Sequence, residues 1–323
     1  MIILLGAILA LGGNFLWRSR PILTIRPHGG RPVNGLAFSP DCSLLATIGD
    51  HGQFSLWEVP TGREKHTFPV HSAAGTCVAF LPNGDTLITG GLDGRIAFWD
   101  LQTGQETGSV FHYWAHGVAV SPDSRLVATV GADGWLKVWD IATRKECLNF
   151  NVPRTPLCSV AYAPDGKHLA AGDADDIVHL LDAENGRQVA TINTDPGGVN
   201  LGLTFSPDGK LLAVEGPGRA IQLIDVATGQ PALQFPPAHS CGISCMAFSN
   251  DGKLLASSSG TPRRAGEVIV WDAERAKELI KLRGHDEGYT AVCFSRNGKY
   301  LATASRDGTV DLWELGRLLP AGR

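Results

Sequence analysis

One dipeptide position recurs seven times along this 323-residue chain: Trp57-Glu58, Trp99-Asp100, Trp139-Asp140, Leu181-Asp182, Ile224-Asp225, Trp271-Asp272 and Trp313-Glu314. The steps between first members are 42, 40, 42, 43, 47 and 42 residues. A turn signal keeps the same phase: Ser39-Pro40-Asp41, Pro82-Asn83-Gly84, Ser121-Pro122-Asp123, Pro164-Asp165-Gly166, Ser206-Pro207-Asp208-Gly209, Asn250-Asp251-Gly252 and Arg296-Asn297-Gly298. Two markers with seven members each fix both the period and the count.

The unit is clearest from Gly284 to Glu314. Ala291 to Phe294 and Tyr300 to Thr303 are apolar-rich runs of strand length. Asn297-Gly298 and Asp307-Gly308 tolerate positive φ and close tight hairpins between runs. Each unit therefore reads as a small antiparallel sheet. With a period of about 40–45 residues and four strands per unit, the chain resembles the WD40-repeat family from about residue 22 to its end. The resemblance implies an all-β fold, a single seven-bladed β-propeller over residues 21–316. It leaves a short apolar helix ahead of the ring and residues 317–323 as a C-terminal tail. Such blades cannot bury both faces alone and stack into one ring, which overrides the two domains that length alone suggests.

Charge and cysteine usage narrow the function classes. A net charge of −4 and a pI near 6.2 argue against a nucleic-acid surface, which carries a basic field. The seven cysteines form no CxxC pair, and Cys77, Cys158, Cys245 and Cys293 fall in first strands, where small apolar side chains pack well. They read as buried free thiols, which favours a reducing compartment.

Residues 1–17 are almost wholly apolar and are followed at once by Arg18 and Arg20. As a helix this stretch would span about 25 Å, slightly short of a hydrocarbon core of about 30 Å. No positive charge precedes the apolar run, unlike a secretory signal. Residues 2–17 are thus a candidate membrane anchor with the propeller on the cytoplasmic side. A cleaved signal, or the edge of a longer parent chain, remain the alternatives, as do cytoplasmic and exported locations.

Ile22 to Arg26 matches the element that precedes the last repeat, Leu279 to Arg283, while the last repeat lacks a fourth strand of its own. The resemblance implies that this N-terminal strand closes the ring and covers an open sheet edge. It also implies a hydrogen-bonded set of His, Thr or Ser, Asp and Trp in each good repeat. The sets are His71, Thr89, Asp93 and Trp99; His112, Thr129, Asp133 and Trp139; and His285, Thr303, Asp307 and Trp313. Blade 1 keeps His28, Thr47 and Trp57 but has His51 at the turn, and blade 6 keeps His239 and Trp271 around a stretched turn. Blades 4 and 5 replace the Trp by Leu181 and Ile224, with Pro153 and Pro196 near the His position, and are expected to be the softest sector.

No catalytic, metal or cofactor constellation is present: HExxH, GxSxG, a phosphate loop and a dinucleotide fingerprint are all missing. The Asp173, Asp175, Asp176 run has Val178 where a calcium loop needs Gly, so it reads as a solvated acidic turn. First strands rich in Val, Ala, Phe, Cys and Leu do not supply the converging ligands of a lactonase or quinone-dependent propeller enzyme. His116 has no ligand-spaced partner. The expected function is a non-catalytic scaffold, a monomeric propeller that binds protein partners through the loops of its top face. The alternative is the sensory or regulatory part of a larger membrane-bound enzyme, such as a WD40-containing bacterial serine/threonine kinase. Candidate partner-binding residues are Tyr113, Trp114 and Trp135 in blade 3, whose rings the repeat leaves unexplained, with Arg263 and Arg264 in the blade 6 insertion.

Overall fold

Inner strands such as Leu44–Gly49 and Leu126–Gly131 are apolar along their length and buried at nearly every position, whereas outer strands such as Glu64–Pro69 are polar and mostly exposed. That contrast is what a sheet needs when neighbouring sheets cover both of its faces and only its outer edge meets water. In the computed structural model, which describes residues 20–152, 154–194, 202–261 and 263–319, the chain builds seven four-stranded antiparallel sheets arranged as a seven-bladed propeller. The candidate anchor at 2–17, Pro153, Pro196 and residues 320–323 lie outside the described residues. Among the described residues no helix is long and apolar enough to cross a membrane.

Blade 1 runs Val33–Phe38, Leu44–Gly49, Gln53–Glu58 and Glu64–Pro69; blade 2 runs Gly75–Phe80, Thr86–Gly91, Arg95–Asp100 and Glu106–Phe111. Blades 3, 4 and 6 repeat this plan from Ala115–Val120, Leu157–Tyr162 and Ile243–Phe248. In blade 5 the first strand covers Thr204–Phe205 among the described residues. Blade 7 takes Tyr289–Phe294, Tyr300–Ser305 and Val310–Glu314 from the C-terminal end and Leu23–Ile25 from the N-terminal end. Leu23, Thr24 and Ile25 pair with Leu312, Asp311 and Val310, and the Thr24 hydroxyl donates to Asp311. The N-terminal strand therefore closes the ring. A four-residue helix, Leu315–Leu318, then lays Leu315 and Leu318 on the core between blades 6 and 7, so the ordered body extends past residue 316.

There is no single core. Seven separate apolar clusters each fill one joint between adjacent blades; the joint of blades 1 and 2, for example, interleaves Ile48, Phe54 and Leu56 with Phe80, Leu87 and Trp99. Trp271 and Trp313 are each 1% exposed, and truncating side chains of this size costs about 3–5 kcal/mol.

A polar device joins the blades where the first strands begin. Six first strands carry a bulge that leaves their second residue out of the ladder: Asn34, Thr76, His116, Cys158, Ser244 and Thr290. The freed side chain can then reach the next blade. Asn34 donates to Gly75 O (2.8 Å), Thr76 to Ala115 O (2.7 Å), His116 Nδ1–H to Leu157 O (2.9 Å) and Thr290 to Val33 O (2.5 Å). The acceptor is always the first residue of the next first strand. His116 thus has a structural task as an inter-blade donor.

Candidate partner-binding face

The loop leading into each blade lies against that blade's second-to-third strand turn, and both sit on one face of the disc. His112 N–H donates to Gly94 O (2.8 Å) and Val152 N–H to Gly134 O (2.9 Å), so each lead-in segment also leans on the preceding blade's turn. Within a blade the clamp is a relay of side chains. In blade 2 the Trp99 indole N–H donates to Thr89 Oγ1 (3.2 Å), the Thr89 hydroxyl to His71 Nε2 (3.2 Å), and His71 Nδ1–H to Asp93 Oδ1 (3.0 Å). Asp93 also receives the N–H groups of Ser72 and Arg95, which ties loop to turn. Burial lowers the pKa of His71 and of His112, so both rings are neutral and donate through one nitrogen only.

Blade 3 repeats the relay with the ring turned over: Thr129 meets His112 Nδ1 (2.6 Å) and His112 Nε2–H meets Asp133 (3.1 Å), while Trp139 donates to Thr129 (2.9 Å). In blade 7, Trp313 donates to Thr303 (3.1 Å), Thr303 lies 3.4 Å from His285 Nε2, and His285 Nδ1 faces Asp307 (3.1 Å) and Thr309 (2.6 Å). Although burial pushes Asp307 upward, its hydrogen bonds from His285 and Thr309 hold its carboxyl well below the usual range.

Blade 6 keeps the relay by substitution. Trp271 donates to Ser257 (2.8 Å) and Ser257 meets His239 Nε2 (2.6 Å). Beyond the stretched turn Glu267 takes the place of the Asp and accepts Ser240 N–H (3.0 Å), but at 3.6 Å it stops short of a hydrogen bond to His239 Nδ1, which has no hydrogen-bond partner among the described residues. The adjacent His239 ring holds Glu267 down at about 2. Blade 1 is incomplete: His28 Nε2 meets Thr47 (3.1 Å), but with His51 at the turn its buried Nδ1 has no hydrogen-bond partner among the described residues. Desolvation takes the pKa of His28 down to about 4.

Blade 4 corrects the reading of a solvated acidic turn. Asp173 is 1% exposed; its carboxylate meets His179 Nε2 (2.9 Å) and accepts the N–H groups of Asp175 and Ile177. Its strand position is Gly49, Gly91 and Gly131 in blades 1–3, where a Cβ would fall 2.7 Å from the His71 ring or 3.0 Å from His28. Ser259 and Ser305 hold this position in blades 6 and 7, which keep their relay His; in blade 4, which has no relay His, His179 on the third strand supplies the Asp173 partner. Asp175 still clamps the loop, through Thr155 (2.7 Å).

The relay His, Thr and Trp side chains are buried, His112 completely, while Asp93, Asp133 and Asp307 are half-buried beside the loops; the relays thus support the face from beneath. What they present in blade 3 is aromatic. His112 stands three residues before its first strand, whereas His71, His239 and His285 stand four before theirs. The shortened loop forces Trp114 to φ 45°, a left-handed conformation that costs a bulky residue about 1–2 kcal/mol. It leaves Tyr113 and Trp114 48% and 51% exposed, stacked with ring centroids 5.4 Å apart. Gly131 lies directly under this loop, where a Cβ would sit 2.3 Å from Tyr113 O. Phe111, 62% exposed at the end of the fourth strand of blade 2, extends the patch beside Gly94. In the sequence it is only an aromatic residue after Val110 at a strand end, which does not set the direction of its ring.

The other candidates do not join this patch. Trp135 opens the third strand of blade 3, half-buried, with its N–H on Asp133 (3.2 Å), and is not one of the exposed aromatic side chains. Arg263 and Arg264 are exposed on a tight turn held by Arg264 N–H to Thr261 O (3.2 Å). They belong to blade 6, three blades away around the ring.

A family model described as "WD domain, G-beta repeat" matches residues 19–58, 62–100, 106–140, 229–272 and 276–314, together more than half of the chain. Its matches pass over blades 4 and 5, which lack the closing Trp. A second model, "Anaphase-promoting complex subunit 4 WD40 domain", matches residues 134–201. The chain is 42% identical over 59 residues to Pre-mRNA-processing factor 19 homolog 2 of Arabidopsis thaliana, covering 18% of this chain and 11% of the relative. It is 34% identical over 61 residues to Target of rapamycin complex subunit wat1 of Schizosaccharomyces pombe, 18% of each chain. It is 37% identical over 62 residues to Nuclear distribution protein PAC1 of Arthroderma benhamiae, 19% of this chain and 13% of the relative. The chain thus spans less than a fifth of the length of each of these relatives.

Proposed function

The chain belongs to the WD40-repeat family, and from that premise we propose that it is a non-catalytic scaffold that holds a protein partner on the top face of blades 2 and 3. One observation carries this reading. Trp114 is kept in a strained backbone conformation with its ring half in water, stacked on Tyr113, on a loop clamped from beneath by the His112 relay. Strain that folding does not need is retained at sites that do something else. Rigid, exposed aromatic rings are the side chains that dominate protein–protein hot spots. Residues 2–17 support a further proposal, that the disc is tethered to a membrane; carbonate extraction of the full chain would show whether it is.

The test compares the intact protein with Trp114→Gly and Tyr113→Ser by pull-down and cross-linking from cells that express it. Gly relieves the left-handed strain, so the first variant should melt no lower than the parent while losing captured partner at least tenfold. The pair Arg263→Ala and Arg264→Ala should retain the partner. Equal capture by parent and Trp114→Gly would remove the aromatic patch from the working surface.

A further inference from the structure

On the opposite face, a cleft of about 540 Å³ opens between blades 3 and 4. Its walls are the first-hairpin turns of both blades and the third-to-fourth strand turn of blade 4. Two positions inside it break the pattern of the repeat. The last residue of the first strand is Phe38, Phe80, Val120, Phe205, Phe248 and Phe294 in the other blades, but Tyr162 in blade 4. The residue opening the second strand is Leu44, Thr86, Leu126, Leu211, Leu254 and Tyr300 elsewhere, but His168 in blade 4. Both departures add a polar atom that the blade does not use. The Tyr162 hydroxyl and His168 Nδ1 are shielded from solvent and have no hydrogen-bond partner among the described residues. A buried polar atom without a partner is costly, and two in one cleft is a coincidence that packing does not require.

The rim settles the sign of the ligand. Asp123, Asp165, Asp182 and Glu184 line the cleft together with a single cation, Lys167. Asp123, Asp165 and Asp182 each hold their own turn through Oδ1, leaving Oδ2 without a partner among the described residues. The hydrogen bond from Ser121 keeps the Asp123 carboxyl below its usual range, and it is therefore ionised. Turn acids recur around the ring and would not single out this joint; the Tyr162 and His168 pair does.

Carboxylate oxygens and the phenol lone pair line the cleft as hydrogen-bond acceptors beside the single Lys167 ammonium. The complementary ligand is cationic and rich in donors, and an anion is excluded by four carboxylates to one ammonium. Among the described residues no three His, Cys, Asp or Glu side chains converge to hold a metal ion, so the positive charge must arrive spread over several donors. A guanidinium meets that requirement with five N–H groups in one plane. We propose that the cleft between blades 3 and 4 seats an arginine side chain of a partner polypeptide, giving the disc a second working face.

The probe is acetyl-arginine N-methylamide, followed by chemical shifts of the His168 and Tyr162 rings, with the citrulline analogue as the uncharged match. Tyr162→Phe and His168→Leu install residues that other blades carry at these positions, so both variants should fold with unchanged or higher melting temperature. Saturable binding is expected for the arginine probe in the parent, at least tenfold weaker in either variant and several-fold weaker in Glu184→Gln. Equal binding of citrulline, equal binding by the variants, saturation by inorganic phosphate through Lys167, or no saturation at all would each overturn the assignment.

Discussion

Replacing His51 with Asp should complete the unfinished relay of blade 1. The turn Gly49-Asp50-His51-Gly52 aligns with Gly91-Leu92-Asp93-Gly94, and Gly52 and Gly94 share positive φ values of 65° and 82°. A carboxylate in place of the His51 ring would therefore stand where Asp93 stands and meet His28 Nδ1, the buried nitrogen that has no hydrogen-bond partner among the described residues. A hydrogen bond to a charged acceptor contributes about 1.5–3 kcal/mol. With an unfolding entropy of about 2.1 cal/mol/K per residue, 2 kcal/mol raises the melting temperature of a chain this long by about 3 °C. The gain should be larger in acid. His28 has a folded pKa of about 4 against 6.5 unfolded, so unfolding takes up a proton between those values, at a cost of about 2 kcal/mol by pH 5. The new carboxylate of the His51→Asp variant raises the folded value and returns much of that loss. The assay is thermal melting at pH 7.5 and pH 5 for His51→Asp, His28→Phe and the double variant. An equal gain from His51→Asp with and without His28, or a gain no greater at pH 5, would refute the reasoning.

Three other outcomes follow from the same geometry. The buried neutral rings of His28, His71 and His112 should make the protein's melting temperature level above about pH 7 and falling as pH drops below 6.5, because the unfolded chain binds the extra protons. A second decline below 4.5 comes from Glu267, whose depressed carboxyl stabilises the fold above that value and loses its effect toward about 2. Thr290→Val removes the donor to Val33 O across the closing joint and should cost about 1–2 kcal/mol in chemical denaturation, whereas Ser244→Ala, whose hydroxyl meets Ser258 of its own blade, should cost less. Hydrogen exchange should be faster in residues 154–194 and 202–234 than in blades 2, 3 and 7, given that Leu181 and Ile224 stand there in place of the relay Trp; uniform protection would remove the idea of a soft sector.

The ring was legible because its markers are covalently periodic: a turn and a closing dipeptide in phase need no knowledge of contacts. The relays of blades 2, 3 and 7 could be placed because the family resemblance implies them and Thr, Asp and Trp keep their spacing there, although His112 stands one residue nearer its Thr. Glu267 escaped because the 260–266 insertion moves it out of phase with the other turn acids. Asp173 and His179 escaped for a different reason. Each breaks the repeat alone, and only pairing across two strands makes them one substitution. Trp135 and Phe111 show the limit for surface sites. An aromatic at a strand end can turn inward or outward, and that direction depends on the neighbouring sheet. The inter-blade donors were hidden because a bulge, not a residue type, points them across the joint.

Those donors also say how the disc is held closed. Asn34, Thr76, His116 and Thr290 form one unbroken arc, from blade 7 through blades 1, 2 and 3 to blade 4. At the next joint the Cys158 thiol turns back to Pro156 O, and in blade 6 Ser244 bonds within its own sheet. The place where the two chain ends meet, the one blade held together without a continuous backbone, thus lies inside the laced arc. Beyond that arc the joints are tied by other groups: Ile243 N–H donates to Glu215 Oε2 (3.1 Å) between blades 6 and 5, and the Cys245 thiol reaches Val292 O (3.7 Å) between blades 6 and 7. Both proposed working surfaces ride on the laced arc, so a load applied through a bound partner would be carried past the closing joint through first-strand donors rather than through blade 7 alone.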